Sequence, residues 1–322
     1  KTRSDHNWHG IQSGWDIKRM LGTVPVEEDG SVIFKAPANT PISIQPLDKD
    51  GVAIQWMRSW VTGQPGEVVS CIGCHEDQNQ IAIPKRVIAS QKAPSALTLP
   101  EGGTRSFTFD LEVQPILDRA CIACHNGEGK AFDLRGGKKD KLGYGTSYLN
   151  LHPYVHRQGG EGDMVVLQPY EYHPNTSELV RLLKKGHHNV KLTDKEWKTL
   201  YNWIDYNAPD KGYFNANVLT DLPYKGFDQI KRRKELTDKY ANGAGVDWKK
   251  EIADYADYLK KQGPITPVMP EKAAPVKEKT LKVKGWPFGA DRIKEMLAKE
   301  KETRKVVEIA PGVKVNFVRI PA

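Results

Sequence analysis

The spacing C-x-x-C-H occurs twice and constrains this chain more than any other feature of its sequence. The two copies lie in "SCIGCHEDQN" and "ACIACHNGEG" and consist of Cys71, Cys74 and His75, and of Cys121, Cys124 and His125. On a helical turn the first Cys and the His are four residues apart and share a face. This spacing is the attachment signature of c-type haem, in which both thiols bond the porphyrin and the imidazole ligates the iron. We therefore predict two haems c.

Two other uses of paired cysteines stay open. A zinc site and a redox-active dithiol both use C-x-x-C pairs, but neither needs a His after the second Cys. With nine His in 322 residues, His at both positions by chance has a probability on the order of one in a thousand. The haem interpretation is favoured. All four cysteines lie inside the motifs, which leaves no thiol for a structural disulfide.

Charge and hydropathy limit the partners. The net charge is +8, and two propionates on each of two haems would lower it to about +4. A basic surface could steer an acidic redox partner protein, although lysines and arginines interspersed with acids are also typical of a solvated surface. No nucleic-acid-binding motif is present. No apolar run approaches the roughly 18 residues that span a bilayer, so we predict no membrane span.

Haem c attachment predicts a periplasmic or equivalent extracytoplasmic location. A signal peptide is therefore expected, but the opening "KTRSDHNWHG" has no apolar segment of that kind. We expect the natural amino terminus to lie further upstream.

Residues 1–100 are predicted to form a small antiparallel β-module that carries the first haem. Apolar and polar residues alternate around Val32, Ile42 and Val52, and Asp29-Gly30 and Asp50-Gly51 supply turns. The first C-x-x-C-H motif lies at the exit of this segment. It is not followed by the helices of an ordinary cytochrome.

Residues 101–212 are predicted to form an all-α, cytochrome c-like domain that carries the second haem, so the fold class is α+β multidomain. The first predicted helix runs into Cys121 and has the apolar residues Val113, Ile116, Leu117 and Ala120. The second is "TSELVRLLKKG", which Gly186 ends. The closing helix begins with a Thr193–Glu196 capping box and has the apolar stripe Trp197, Leu200, Tyr201 and Ile204. Helix, motif, loop and closing helix are typical of small cytochromes c.

The remaining chain is predicted in three parts. Residues 213–262 form a charged helical extension, residues 263–285 have the Pro/Lys composition of a linker, and residues 286–322 form a helix followed by strand-like alternation.

Axial ligands come from histidines near each motif. We predict His75 and His125 as proximal iron ligands, and the loop "GHHNVKL" before the closing helix offers His187 and His188 for the second haem. We prefer His187, because a position six residues before the cap Thr193 can reach across a porphyrin and neighbouring side chains in an extended loop point in opposite directions. Rivals at the second haem are His152, His156 and His173, and candidates at the first haem are His6, His9, Met20 and Met57. An open iron at the first site is an alternative.

Three stretches resemble the hydrazine synthase alpha-subunit family. They are "LGTVPVEEDGSVIFKAPANTPISIQPLD", "MRSWVTGQPGEVVSCIGCHE" and "LKKGHHNVKLTDKEWKTLYNWIDYNAP", within roughly residues 20–240. The resemblance implies a middle domain with a catalytic haem and a carboxy-terminal domain whose bis-histidine haem passes electrons. In that family a Tyr four residues after the first motif's His ligates the iron, and the His binds zinc. The corresponding residue here is Asn79, which makes His75 the simpler iron ligand.

The end of the chain has a resemblance of its own. "GWPFGADRIKEMLAKEKETRKVVEIAPGVKVNFVRIPA" resembles the first part of formylglycine-generating-enzyme-like domains. The resemblance implies a further domain that begins near residue 286. A frayed terminal strand is the alternative.

The sequence therefore supports two functions from different classes. The first is a dihaem c-type module that relays electrons, within a larger multidomain protein or as a subunit of a complex. The alternative is a haem enzyme with an open first iron that acts on small nitrogen compounds. A structural or sensing module, in which haem only stabilises small domains, is a third possibility, so whether the chain is an enzyme stays undecided.

Overall fold

The computed structural model divides the chain into two compact units, residues 1–272 and residues 273–322. The residues that it describes are 17–57, 59–72, 79, 85–129, 131–141, 143–157, 168–212, 229–240, 247–271, 289–299, 304–310 and 313–318.

The regular secondary structure described in the first unit is mostly helix. Its strands β1 (Arg19–Met20) and β2 (Arg105–Ser106) form one short antiparallel pair. The helices are α1 (Phe109–Glu112), α2 (Gln114–Ala120), α3 (Thr146–Leu151), α4 (Glu178–Lys184), α5 (Asp194–Asp205), α6 (Gln229–Tyr240) and α7 (Trp248–Lys261). Short 3₁₀ turns lie at Ala89–Gln91, His152–Tyr154, Pro174–Thr176 and His187–Asn189. Among the described residues, no helix is long and apolar enough to cross a membrane.

The predicted β-rich segment is extended chain joined by isolated bridges. Thr23 pairs with Thr98, Ile42 with Val61 and Leu47 with Ala53 in antiparallel bridges, and Phe34 pairs with Ser95 in a parallel one. Within the described part of residues 1–100, no strand exceeds two residues. Prolines at positions 25, 37, 41 and 46 lack the N–H that a continuous ladder needs. The β-module stays a prediction.

The core of the helical domain is aromatic. The Phe109 ring meets the rings of Tyr148 and Trp203 edge-on, with centroids 5.3 Å apart in both pairs. All three side chains are fully buried. Edge-to-face aromatic pairs contribute roughly 0.5–1.5 kcal/mol each beyond their buried area. This cluster fixes α1, α3 and α5 against one another.

The predicted helices of this domain are confirmed. In α2 the apolar stripe is buried, and in α5 Leu200, Tyr201 and Ile204 are buried as expected. The capping box at the start of α5 is present, because the Thr193 hydroxyl accepts from the Glu196 N–H and the Glu196 carboxylate accepts from the Thr193 N–H. Gly186 has φ of +88°, a left-handed conformation that favours glycine, and it ends α4.

Helix α7 of the predicted charged extension is held by a cluster of three buried side chains. The Tyr255 hydroxyl in α7 donates to Glu112 at 2.9 Å, and the Arg105 guanidinium lies 3.5 Å from the Tyr255 ring centre while it also bonds Glu112. Gly102 permits this approach, because a Cβ at that position would lie 2.8 Å from the Tyr255 ring. Helix α7 is therefore packed onto the start of the helical domain.

The second unit contains a helix and a hairpin. Helix α8 (Ala290–Lys299) precedes strands β3 (Arg304–Ala310) and β4 (Val313–Val318), which pair antiparallel with Arg304 opposite Val318. The strand-like alternation predicted at the end of the chain is thus two strands that partner each other.

Residues 45–56 pack against the helical domain through a buried carboxylate. Asp205, near the end of α5, accepts from the Ala53 N–H at 2.9 Å, and its backbone carbonyl accepts from Gln45. The Trp56 ring stacks on Tyr172 with centroids 6.1 Å apart. Asp205 is 2% exposed, and burial raises the pKa of its carboxyl to about 7 against the lowering effect of the Ala53 N–H. The junction therefore favours a protonated Asp205.

Stability should fall as the pH rises from about 4 to 7, because the folded chain then holds a proton on Asp205 that the unfolded chain has released. Asp205→Asn keeps a neutral group at this position and should remove on the order of 4 kcal/mol from that pH dependence. Asp110→Asn, at an exposed ion pair with Lys139, should leave the slope unchanged. Denaturant unfolding at several pH values measures both, and equal slopes in the Asp205 variant and the parent chain would contradict this account.

Candidate haem centre

The second C-x-x-C-H motif extends helix α2 by one turn. The N–H groups of Cys124 and His125 donate to the Cys121 carbonyl at 3.1 and 2.9 Å. The helix is driven into place by its buried apolar stripe, so the motif begins where α2 leaves the core. Cys121, Cys124 and His125 all line one cavity. The motif therefore presents its thiols and its imidazole to a common space.

The His125 ring is fixed by the loop that follows it. Its Nδ1 lies 3.1 Å from the Phe132 carbonyl oxygen, and the Leu134 N–H donates to the His125 carbonyl at 2.9 Å. Since a carbonyl can only accept, Nδ1 donates to it, and in the neutral imidazole this leaves the lone pair on Nε2. The Phe132 ring also lies 4.7 Å from the imidazole centre. In this orientation Nε2 is the ring nitrogen that would ligate a metal.

The cavity has a volume of about 190 Å³ and is almost entirely apolar. Its walls come from α2, α3 with the turn after it, α4, α5, the loop after the motif, the segment before α5 and the segment after α7. The lining side chains are Ile116, Leu117, Ala120, Phe132, Leu134, Leu151, Tyr154, Leu179, Leu182, Leu183, Val190, Leu192, Leu200 and Pro270, with the motif residues and two histidines. A flat apolar macrocycle suits such walls.

His187 lines the same cavity as His125. The two ring centres are 6.1 Å apart, with 34° between the ring planes. Two imidazoles that ligate one metal ion from opposite sides have centres about 6 Å apart, because each metal–nitrogen bond is about 2 Å and the ring adds roughly 1 Å. Burial lowers the pKa of His187, and His188 and His125 lower it further. A neutral imidazole is the form that ligates a metal.

His188 lies beside His187 in a strained turn. Its ring meets that of His187 edge-on at 4.6 Å, and it also lines the cavity. His188 and Asn189 have φ of +43° and +62°, which few residues other than glycine adopt. Strain of this kind persists only where neighbouring contacts impose it. The structure brings together His125, His187 and His188, and the ring spacing favours His187 as the partner of His125.

The rival histidines are engaged elsewhere. His152 Nε2 accepts from Arg157 Nε at 2.7 Å, His156 Nδ1 lies 2.9 Å from the Thr176 hydroxyl, and His173 Nδ1 accepts from the Asn175 N–H at 3.1 Å. None of the three histidines lines the cavity.

The two thiols of this motif have different surroundings. Cys121 is half-buried and Cys124 is exposed. Burial raises the pKa of the Cys121 thiol to about 12, whereas redox-active dithiols have a lowered pKa. Within the described ranges, no three His, Cys, Asp or Glu side chains are grouped to hold a metal ion by themselves. The paired cysteines, the fixed imidazole and the apolar cavity together fit haem c.

The first motif is described only in part. Cys71 is exposed, while Cys74 and His75 lie outside the described residues, as do the candidate ligands His6 and His9. Met20 and Met57 are half-buried, and the Met57 sulfur lies 3.5 Å from the Ile44 N–H. Asn79 is an exposed turn residue.

Sequence reasoning missed several residues that shape this site. The Arg119 guanidinium pairs with Glu196 of α5 and donates to the Lys191 carbonyl at 3.0 Å, which fixes the histidine loop to α2. The Phe132 carbonyl orients His125, and Pro270 adds to the cavity wall. Of these residues, only Arg119 could have been noticed in the sequence, because it lies two residues before Cys121. Phe132 acts through its backbone oxygen and Pro270 through its ring, and neither residue belongs to a motif.

Comparison with known proteins gave one match. Residues 1–76 match the family model for the hydrazine synthase alpha subunit middle domain. No curated protein matches the chain. No solved structure matches it either. The matched segment ends just after the first C-x-x-C-H motif, and it supports the resemblance of this part of the chain to the hydrazine synthase alpha-subunit family.

Proposed function

We propose that the chain is a dihaem c-type module that relays electrons. The observation that carries this proposal is the pair His125 and His187, whose ring centres lie 6.1 Å apart in the lining of an apolar cavity that the two thiols also line. Imidazoles on both faces of one metal leave no position for a substrate. The second site is therefore suited to electron transfer rather than to catalysis.

The residues of the second haem site would have distinct roles in holding the haem. Cys121 and Cys124 would form the thioether bonds, His125 Nε2 would supply one axial donor, and His187 would supply the other. Bound haem c would supply an iron that takes up and releases one electron. The Phe132 carbonyl keeps the His125 ring in one orientation and increases its donor strength. The apolar walls exclude water from the cavity.

Cys71, Cys74 and His75 would hold the first haem c. The match over residues 1–76 favours the alternative function at this site, a haem enzyme acting on small nitrogen compounds. That function needs an iron with an open axial position, whereas a relay needs both positions filled. Absorption and electron paramagnetic resonance spectra separate the two. A relay gives two low-spin signals, and an enzyme gives one high-spin and one low-spin signal.

The cellular location and the partners are inferred from haem c attachment. We propose an extracytoplasmic location such as the periplasm, a redox partner protein, and membership of a larger complex. The net charge of +8 supports an acidic partner.

Two haems per chain should be found by a pyridine haemochrome assay. Replacing Cys121 and Cys124 with Ser should leave one haem, and the matched change at Cys71 and Cys74 should also leave one, because each pair supplies one set of thioether bonds. Elemental analysis that returns zinc without iron would refute the haem assignment.

His187→Ala should convert one haem to high spin and raise its potential, because the loss of an imidazole donor destabilises the ferric iron. The matched control is His188→Ala, which alters the neighbouring residue of the same loop and should leave both haems low-spin. Electron paramagnetic resonance and redox titration measure these effects. Unchanged spectra in both variants would show that the axial ligand lies elsewhere.

A further inference from the structure

Residues 263–271, the described part of the predicted linker, lie against the second haem cavity. The Val268 N–H donates to the Arg119 carbonyl oxygen at 2.7 Å. Three residues later in the chain, the Glu271 carbonyl accepts from the Asn189 side chain at 3.4 Å. Between these two contacts, Pro270 contributes to the cavity wall. The segment therefore runs from the end of α2 to the histidine loop.

Both ends of this segment are anchored at positions that matter to the site. Arg119 lies in the last turn of α2, where backbone carbonyls have no partner within the helix, and the Val268 N–H satisfies one of them. Asn189 follows the two histidines that line the cavity. On the amino-terminal side, α7 is held by the buried Tyr255 and ends at Lys261, two residues before the left-handed Gly263. The chain is thus delivered to the cavity by a fixed helix.

The composition of residues 263–271 suits a segment that covers the second haem cavity. Prolines at positions 264, 267 and 270 restrict the backbone and favour an extended conformation, which reduces the entropy lost on docking. The side chains of Val268 and Met269 are 50% and 68% exposed, so the segment is not held by burial of its own apolar groups. Its attachment depends on the backbone bond at Val268, the Asn189 contact and Pro270.

We propose that residues 263–271 are a wall of the second haem site that keeps water from the haem and raises its reduction potential. This inference rests on the proposed function, because it assigns residues to the haem site described there. An apolar wall disfavours the charged oxidised iron, and water admitted at the same place would favour it. Opening the wall should therefore lower the potential of this haem alone.

Val268→Pro in the full chain removes the single N–H that bonds Arg119 and changes no other residue of the segment, so the wall loses its attachment to α2 and opens. Redox titration should show the potential of one haem shifted downward and that of the other unchanged. Val268→Ala is the matched control, because it shortens the exposed side chain but keeps the N–H, and it should leave both potentials unchanged. Pro270→Ala removes the ring from the wall and should shift the potential of the same haem downward. It tests the inference independently if Val268→Pro incorporates haem poorly.

Hydrogen exchange in the parent chain gives a second readout. The Val268 amide should exchange more slowly than the Met269 amide, because only the former has a described backbone acceptor. Equal exchange of both amides, or bound haem with unchanged potentials in Val268→Pro and Pro270→Ala, would overturn this inference alone. Absence of haem at Cys121 and Cys124 would overturn the proposed function as well.

Discussion

The hydrogen bond between His125 Nδ1 and the Phe132 carbonyl sets the geometry of the helical domain around its cavity. A backbone oxygen is a rigid acceptor, so it fixes both the tautomer and the direction of the imidazole. The loop after the motif must fold back to supply that oxygen, and the Leu134 N–H closes it by bonding the His125 carbonyl. Phe132 and Leu134 then become cavity walls. One polar contact thus organises a largely apolar site.

The histidine loop is positioned by charge. Arg119, in the last turn of α2, reaches Glu196 at the start of α5 and the Lys191 carbonyl in the histidine loop. Glu196 also caps α5 with Thr193. A charged pair that is partly shielded from water and held by further hydrogen bonds is more specific than an exposed one. The ring separation of His125 and His187 follows from these contacts between α2 and α5.

Segments outside the helical domain complete the structure around it. Residues 45–56 reach Asp205, and α7 reaches Glu112 through Tyr255, so chain on both sides of the domain is packed onto it. Residues 263–271 then run along the cavity. The predicted boundary at residue 262 is a change in composition, whereas the contacts of Val268 and Pro270 continue past it.

Sequence alone predicted the haem chemistry of this chain and determined its local elements. The spacing of Cys121, Cys124 and His125, the stripe of α2 and the capping box of α5 are local patterns, and local patterns can be read without knowledge of the fold. The tertiary structure decided which chain segments meet. The carbonyl of Phe132 and the ring of Pro270 have no sequence signature, because any residue supplies a backbone oxygen and neither residue belongs to a motif. The sequence could prefer His187 to His188 only by its position in the loop, because two adjacent histidines are chemically identical. Packing adds the geometric observation, a distance of 6.1 Å between the ring centres of His187 and His125.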